Sequence, residues 1–334
     1  MKMKTEERQN KFPENKSGNR SWKSGLLLLS AITYLFYGNF CCYSQQDPMY
    51  SQYMFDALAI NPAFSGSRNI VFSGLTYRNQ FVGFEGAPVT QKLTFNAPLQ
   101  KKYMGLGLKA FHDKSGASET TNFSGIYSYH IGIGKGRLSF GIEGGLSNFS
   151  IDFTNLVRAH PDDQALSYSK ESAFLPDASA GMYYYNSKFY FGLASYHLLQ
   201  GKTSVTMYQR KDAAKLYRHE FISSGYKFQV NENTSIEPSI LIKYVSGAPL
   251  QADVNTNVIW KEMIAIGTSY RTRDGLSFLL RYLIKEKIVI GYSYDLTLSE
   301  LSKYSNGSHE IMAGYQVKLL PPATKKVTDP RYYF

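Results

Sequence analysis

Apolar and polar residues alternate one by one along most of this chain after residue 68. "KYMGLGLKAF" sets Met104, Leu106, Leu108 and Ala110 against Gly105, Gly107 and Lys109. "RLSFGIEGGLS" sets Leu138, Phe140, Ile142 and Leu146 against Arg137, Ser139, Gly141 and Glu143, and "LSFLLRYLIK" sets Phe278, Leu280, Tyr282 and Ile284 against Ser277 and Arg281. A strict period of two over about ten residues is a strand with one apolar face. No segment after the first 44 residues keeps a 3.6-residue period over three turns, so an all-β fold is expected. The alternation predicts fourteen strands, over 69–80, 90–98, 103–113, 119–133, 137–150, 173–185, 188–198, 217–230, 234–245, 250–260, 262–272, 275–285, 287–296 and 309–319.

The connectors sort by end. Every second one is tight: "LQKK", "GKG", "NS", "NEN" and the junctions at Lys261 and Lys285–Glu286. The other set includes three long connectors, 151–172, 199–216 and 297–308. A soluble sandwich has no reason to sort its loops this way, whereas a transmembrane barrel of the outer membrane pairs short periplasmic turns with long outer loops. Crossing a bilayer takes a tilted strand of about 9–11 residues, which most segments reach. The sheet must close, because unpaired strand edges cannot face lipid. The fold expected is therefore an antiparallel outer-membrane β-barrel of about 14 strands. Its polar registers, with Lys109, Arg137, Glu143, Glu237, Lys243, Asp253, Arg271 and Arg281, should face the lumen and pair there in a filled, salt-bridged interior, a polar pore being the other reading. The aromatic clusters "YSYHIG", "YYYNSKFYF" and "GYSYDL" are expected in the girdles at the two membrane interfaces.

The first 44 residues have the pattern of an export signal. Seven Lys/Arg precede or border the apolar run "GLLLLSAITYLFYGNF", and "CYS" puts small residues at the −3 and −1 positions before Gln45. Cleavage after Ser44 is expected; an uncleaved anchor is the competing reading. The chain's two cysteines, Cys41 and Cys42, would leave with the signal, so no disulfide, zinc–thiolate or cysteine-nucleophile chemistry is expected of the mature protein. The predicted organisation is signal 1–44, a periplasmic N-terminal segment 45–68 carrying the Asn61-Pro62-Ala63 turn, the barrel 69–319, and a periplasmic tail 320–334. The net charge of +11 forms no basic stripe, and no nucleic-acid partner is expected.

Catalytic motifs are missing: there is no G-x-S-x-G, no H-E-x-x-H and no P-loop. The six histidines fall on different elements. Acids beside histidines, as in "HDKSG" with Asp113 and "HPDD" with His160, Asp162 and Asp163, read as loop or lumen polar residues. No enzyme activity, cofactor or metal site is expected. The candidates for contact with partners are Tyr50, Tyr53, Phe55, Asn61 and Pro62 in the N-terminal segment, as a packed cap or as a plug or docking element. Lys211 in the basic loop "KTSVTMYQRKDAAKLYRHE" joins them, as do Arg331, Tyr332, Tyr333 and Phe334 in the tail. The tail cannot extend the last strand, because Pro321 and Pro322 have no N–H to donate.

"DPMYSQYMFDALAINPAFSGS", followed by "GLTYRNQFVGFEGAPVTQKLTFNAPL", closely resembles the start of the PorP/SprF family, outer membrane proteins of the type IX secretion system. "SHEIMAGYQVKL" is similar to that family's last strand and "DPRYYF" to its tail, while 150–220 matches by pattern only. The resemblance implies a role in the secretion or gliding machinery. Its implied partners are periplasmic ring and outer membrane components, a cargo adhesin and membrane lipid. An outer membrane porin or channel for small hydrophobic or polar solutes is the alternative.

Overall fold

The computed structural model describes residues 47–99, 103–154, 169–202 and 216–319. Their strands form one closed antiparallel barrel. In chain order they are β1 (Ile70–Asn79), β2 (Val89–Leu99), β3 (Met104–Ser115), β4 (Ser118–Ile133), β5 (Gly136–Asp152), β6 (Lys170–Tyr185), β7 (Phe189–Tyr196) and β8 (His219–Tyr226). The ring continues with β9 (Phe228–Asn231), β10 (Thr234–Val245), β11 (Gln251–Trp260), β12 (Ile264–Arg271), β13 (Gly275–Ile284), β14 (Ile288–Thr297) and β15 (Ser308–Lys318). Apart from β8 and β9, each strand pairs with its neighbours in sequence, and β15 pairs with β1 from Ile70↔Lys318 to Asn79↔His309, which closes the ring. The short β8 and β9 are one stave: both pair with β10 and are divided only at Lys227, whose N–H donates instead to the Lys188 carbonyl. The wall thus has fourteen staves.

The wall is inside-out relative to a water-soluble protein. Leu75, Phe123, Ile142, Leu146, Phe174, Ile266 and Ile311 are exposed on the outer surface, while Thr94, Ser128, Asp253, Arg78, Arg281 and Glu310 are almost wholly buried. The alternation read from sequence is this arrangement: apolar residues face lipid, where a lumen charge would be costly. Of the eight charges placed on the inner register, all but the half-buried Arg137 are buried. The ends differ as the connectors predict, with tight turns at 134–135 and 232–233 at one end and the connectors 80–88 and 298–307 at the other. The connector between β3 and β4 is itself tight. There the strands lengthen instead: β4, β5 and β6 have 16, 17 and 16 residues and project past the others at the long-loop end.

The expected aromatic girdle is partly redistributed. Tyr77, Tyr244 and Tyr270 are exposed near the long-loop end, and Tyr129, Trp260, Tyr282 and Tyr315 toward the short-turn end. Tyr183, Tyr185, Tyr190 and Tyr196 of the "YYYNSKFYF" region and its continuation face inward instead. Tyr183 stacks on Tyr185 and meets Phe64 edge-on. Tyrosine suits either face, being apolar in its ring and polar at its tip, so alternation alone does not place it.

Candidate functional site

The lumen is filled by the chain's own N-terminal segment. Residues 47–69 do not lie beneath the barrel; they run through it, from Asp47 at the long-loop end to the start of β1 at the short-turn end. Tyr53, Met54, Phe55, Leu58, Ala63 and Phe64 are buried there in a single cluster with wall residues such as Phe72, Ile126, Leu241 and Met312. Two 3-10 turns, Ala57–Ala59 and Pro62–Phe64, shape the segment. Asn61 is extended, as a residue before proline must be, and its Oδ1 accepts from Ala63 N–H to cap the second turn. Its Nδ2 donates to the Met182 and Leu193 carbonyls at 3.1 and 3.2 Å, so one side chain ties the turn to β6 and β7.

Charge fixes the upper part of this plug. Arg78 on β1 reaches Asp295 on β14 at 2.6 Å and Glu310 on β15 at 3.1 Å. Ser51 enters that group by donating its Oγ–H to Asp295 and its N–H to Glu310, and Gln52 N–H donates to the second Glu310 oxygen at 3.0 Å. Asp56 pairs with Lys92 at 2.8 Å, and the same Lys92 ammonium lies over the Tyr50 ring. On β10, β11 and β12 Lys243, Asp253 and Arg271 form a second buried network, and Arg271 Nη2 donates to the Tyr50 carbonyl. Asn255 donates to the Tyr53 hydroxyl. Lower down, the Ser65 carbonyl accepts from both Ser128 Oγ and His130 Nε2, and Gly66 N–H donates to Asn96.

The residues proposed for partner contact are therefore distributed as follows. Tyr53, Phe55, Asn61 and Pro62 are buried inside the barrel, and Tyr50 is half-buried there. Lys211, Arg331, Tyr332, Tyr333 and Phe334 lie outside the described residues, as do His160, Asp162 and Asp163. Asp113 is on β3, where Thr90 Oγ1 donates to it.

One constellation escaped the sequence. At the long-loop end His197, just past β7, stands between Asp47 and Asp177 of β6, with Nε2 2.8 Å from Asp47 and Nδ1 2.7 Å from Asp177. His219, the first residue of β8, meets the His197 ring edge-on at 5.3 Å. Burial opposes a charge on His197, but the Asp47 carboxylate and the hydrogen bonds to Asp177 and Asp47 outweigh it and push the imidazole up to about 10. Burial likewise opposes charge on Asp47, and the neighbouring histidines and Lys109 override it, holding the carboxyl well below its ordinary range. Beside this group a cavity of ≈ 70 Å³ remains, lined by Met49, Tyr50, Ile60, Tyr196, Phe221 and Leu241 among others. The two histidines are 22 positions apart with a long loop between them. Only the β7–β8 pairing Tyr196↔His219 brings them together.

A closed β-wall with a lipid-compatible exterior and a charged, plugged interior defines an integral outer membrane barrel. The model of the family described as type IX secretion system membrane protein PorP/SprF matches residues 43–315. The chain belongs to that family. No curated protein matches it. Among solved structures it is similar to the Ralstonia pickettii toluene transporter TbuX, at 12% identity over 79% of this chain and 93% of that one, with a TM-score of 0.51. A CymD monoaromatic hydrocarbon channel (10% identity, 82% and 94% covered, TM-score 0.47) and a Pseudomonas aeruginosa FadL homologue (12% identity, 77% and 92% covered, TM-score 0.43) are also similar. At these identities the TbuX likeness establishes the shared barrel fold.

Proposed function

We propose that this protein is a non-enzymatic outer membrane component of the type IX secretion or gliding machinery that supports export or surface anchoring of a cargo adhesin. The observation that carries this reading, beyond family membership, is the filled lumen. A barrel whose interior is occupied by its own segment, through buried ion pairs and close backbone contacts, serves as a scaffold for other proteins better than as an open pore. The short turns then face the periplasm and the long loops the cell surface. The sequence around Lys211, "KTSVTMYQRKDAAKLYRHE", is basic and suits acidic cargo or lipid phosphate. Arg331, Tyr332, Tyr333 and Phe334 of the tail offer an aromatic, basic terminus for a periplasmic ring component.

The test is removal of the protein, with proteomics of the cell surface and the medium. Specific surface adhesins should be lost or released while bulk outer membrane composition stays constant. Truncation of residues 328–334 should leave a folded barrel in the membrane but abolish co-purification with the periplasmic ring. An unchanged surface proteome would overturn the role.

A second reading, a channel for small solutes, draws on the cavity beside Tyr50 and on the fold shared with TbuX, a toluene transporter. Stable unitary conductance of the intact barrel in planar bilayers would favour it over the scaffold.

A further inference from the structure

The scaffold reading makes no use of the histidine–carboxylate group at the long-loop end of the lumen. His219 Nδ1 lies 2.9 Å from the Tyr217 carbonyl. A carbonyl can only accept, so Nδ1 carries the proton and Nε2 presents a bare lone pair. That Nε2 is buried and has no hydrogen-bond partner among the described residues. His197 is oriented in the same way, its Nδ1 donating to Asp177 and its Nε2 facing Asp47. One ligand atom from each of Asp47, His197 and His219 lies within 4.8 Å of the others. His197 also holds a left-handed backbone conformation, φ 56°, that non-glycine residues rarely adopt.

We propose that Asp47, His197 and His219 form a binding site for a divalent transition-metal cation of the zinc class, with Asp177 and the Tyr217 carbonyl orienting the two imidazoles. Two imidazole nitrogens and one carboxylate oxygen are a zinc-type ligand set with a fourth position for water. Nitrogen donors disfavour calcium and magnesium, which take oxygen. A carboxylate on one histidine and a backbone carbonyl on the other are the outer partners that fix the tautomer of metal-ligating histidines. Ligands around tetrahedral zinc stand roughly 3.3 Å apart, so Asp47 and His197, now 2.8 Å apart, need only open slightly, and His219, within 4.8 Å of both, needs to close in by at most about 1.5 Å. Binding displaces one proton, from His197 Nε2, to solvent, and joins the first described residue of the plug to β7 and β8.

The experiment uses the full mature protein, purified without a polyhistidine tag, stripped with chelator and titrated with Zn²⁺ alone by calorimetry and elemental analysis. One zinc per chain is expected. Asp47→Asn and His219→Ala should each weaken binding at least tenfold, and Asp177→Asn about tenfold, whereas His112→Ala should leave it unchanged. Calcium at the same concentration should not compete. Each variant is first checked for the heat-modifiable mobility of a folded barrel. Co²⁺ should give the visible absorption of a four-coordinate site in the parent and lose it in His219→Ala. Failure to retain zinc, or equal affinity in His219→Ala and His112→Ala, would overturn the proposal.

Discussion

Residues 51–56 and residues 61–66 of the plug lie in the same lumen but meet the wall in different ways. The first stretch is held by charge: Arg78, Asp295 and Glu310 converge on Ser51 and Gln52, and Lys92 pairs with Asp56. The second is held by proximity. A Cβ added at Gly141 would overlap the Ala63 backbone, one at Gly105 the Ser65 carbonyl, and one at Gly181 or Gly192 the Asn61 side chain. The wall is stripped of side chains where the plug backbone touches it and furnished with ions where the plug offers N–H groups. Buried ions stabilise little over an apolar isostere, but removing one partner is costly. The upper half is therefore set up to specify position, and the lower half to specify fit.

The largest expected effect breaks the charged half. Arg78→Met leaves Asp295 and Glu310 facing each other without their cation, and should lower stability by about 3–5 kcal/mol. Thermal loss of heat-modifiable mobility reads this out, together with new conductance events in planar bilayers as the plug loosens. Adding Asp295→Asn and Glu310→Gln to that variant should recover most of the loss. If Arg78→Met alone is silent, the upper half is not held by charge.

Next in size is the lower half. Gly141→Val forces the wall against Ala63 and should cost about 1–3 kcal/mol, the usual range for overpacking. The charge-relieving substitutions that rescue Arg78→Met should not rescue it. A shared rescue would show that the two halves form one interaction.

The smallest effect sharpens the comparison at its upper limit, where Asp47 meets His197. The folded His197 is raised from 6.5 to about 10. Its contribution is therefore fully present below pH 6.5, declines as pH rises from there and is gone above about 10. In chelator-treated protein the melting temperature should fall through that window, and Asp47→Asn should flatten the dependence. An unchanged slope in Asp47→Asn would remove this pair from the anchoring.

The wall was legible because lipid and lumen impose opposite preferences on alternate residues. Lys109, Glu143, Asp253 and Arg281 could point only one way, and the strand limits follow from them. Tyr183 and Tyr185 carry no such bias, and they face the lumen instead of the girdle. Asn61-Pro62 showed its turn, since proline geometry is local, but not its location, because the carbonyls it meets belong to Met182 and Leu193, far along the chain. Asp47, His197 and His219 went unseen for the same reason: nothing in the spacing of residues so separated signals convergence. The break at Lys227 also left no trace, as its neighbours keep the alternation.

The bonds from Ser51 and Gln52 to Glu310 also impose an order in time. Donor and acceptor are separated by 259 and 258 residues, so the two N–H groups wait for the last strand of the barrel to be in place. The same strand forms the seam with β1. Contacts at such separation form late, because the chain loses loop entropy before they reward it. Zipping of β15 onto β1 and anchoring of Ser51 and Gln52 to Glu310 then come together, at the close of assembly. A chain lacking the N-terminal segment would have to close around water.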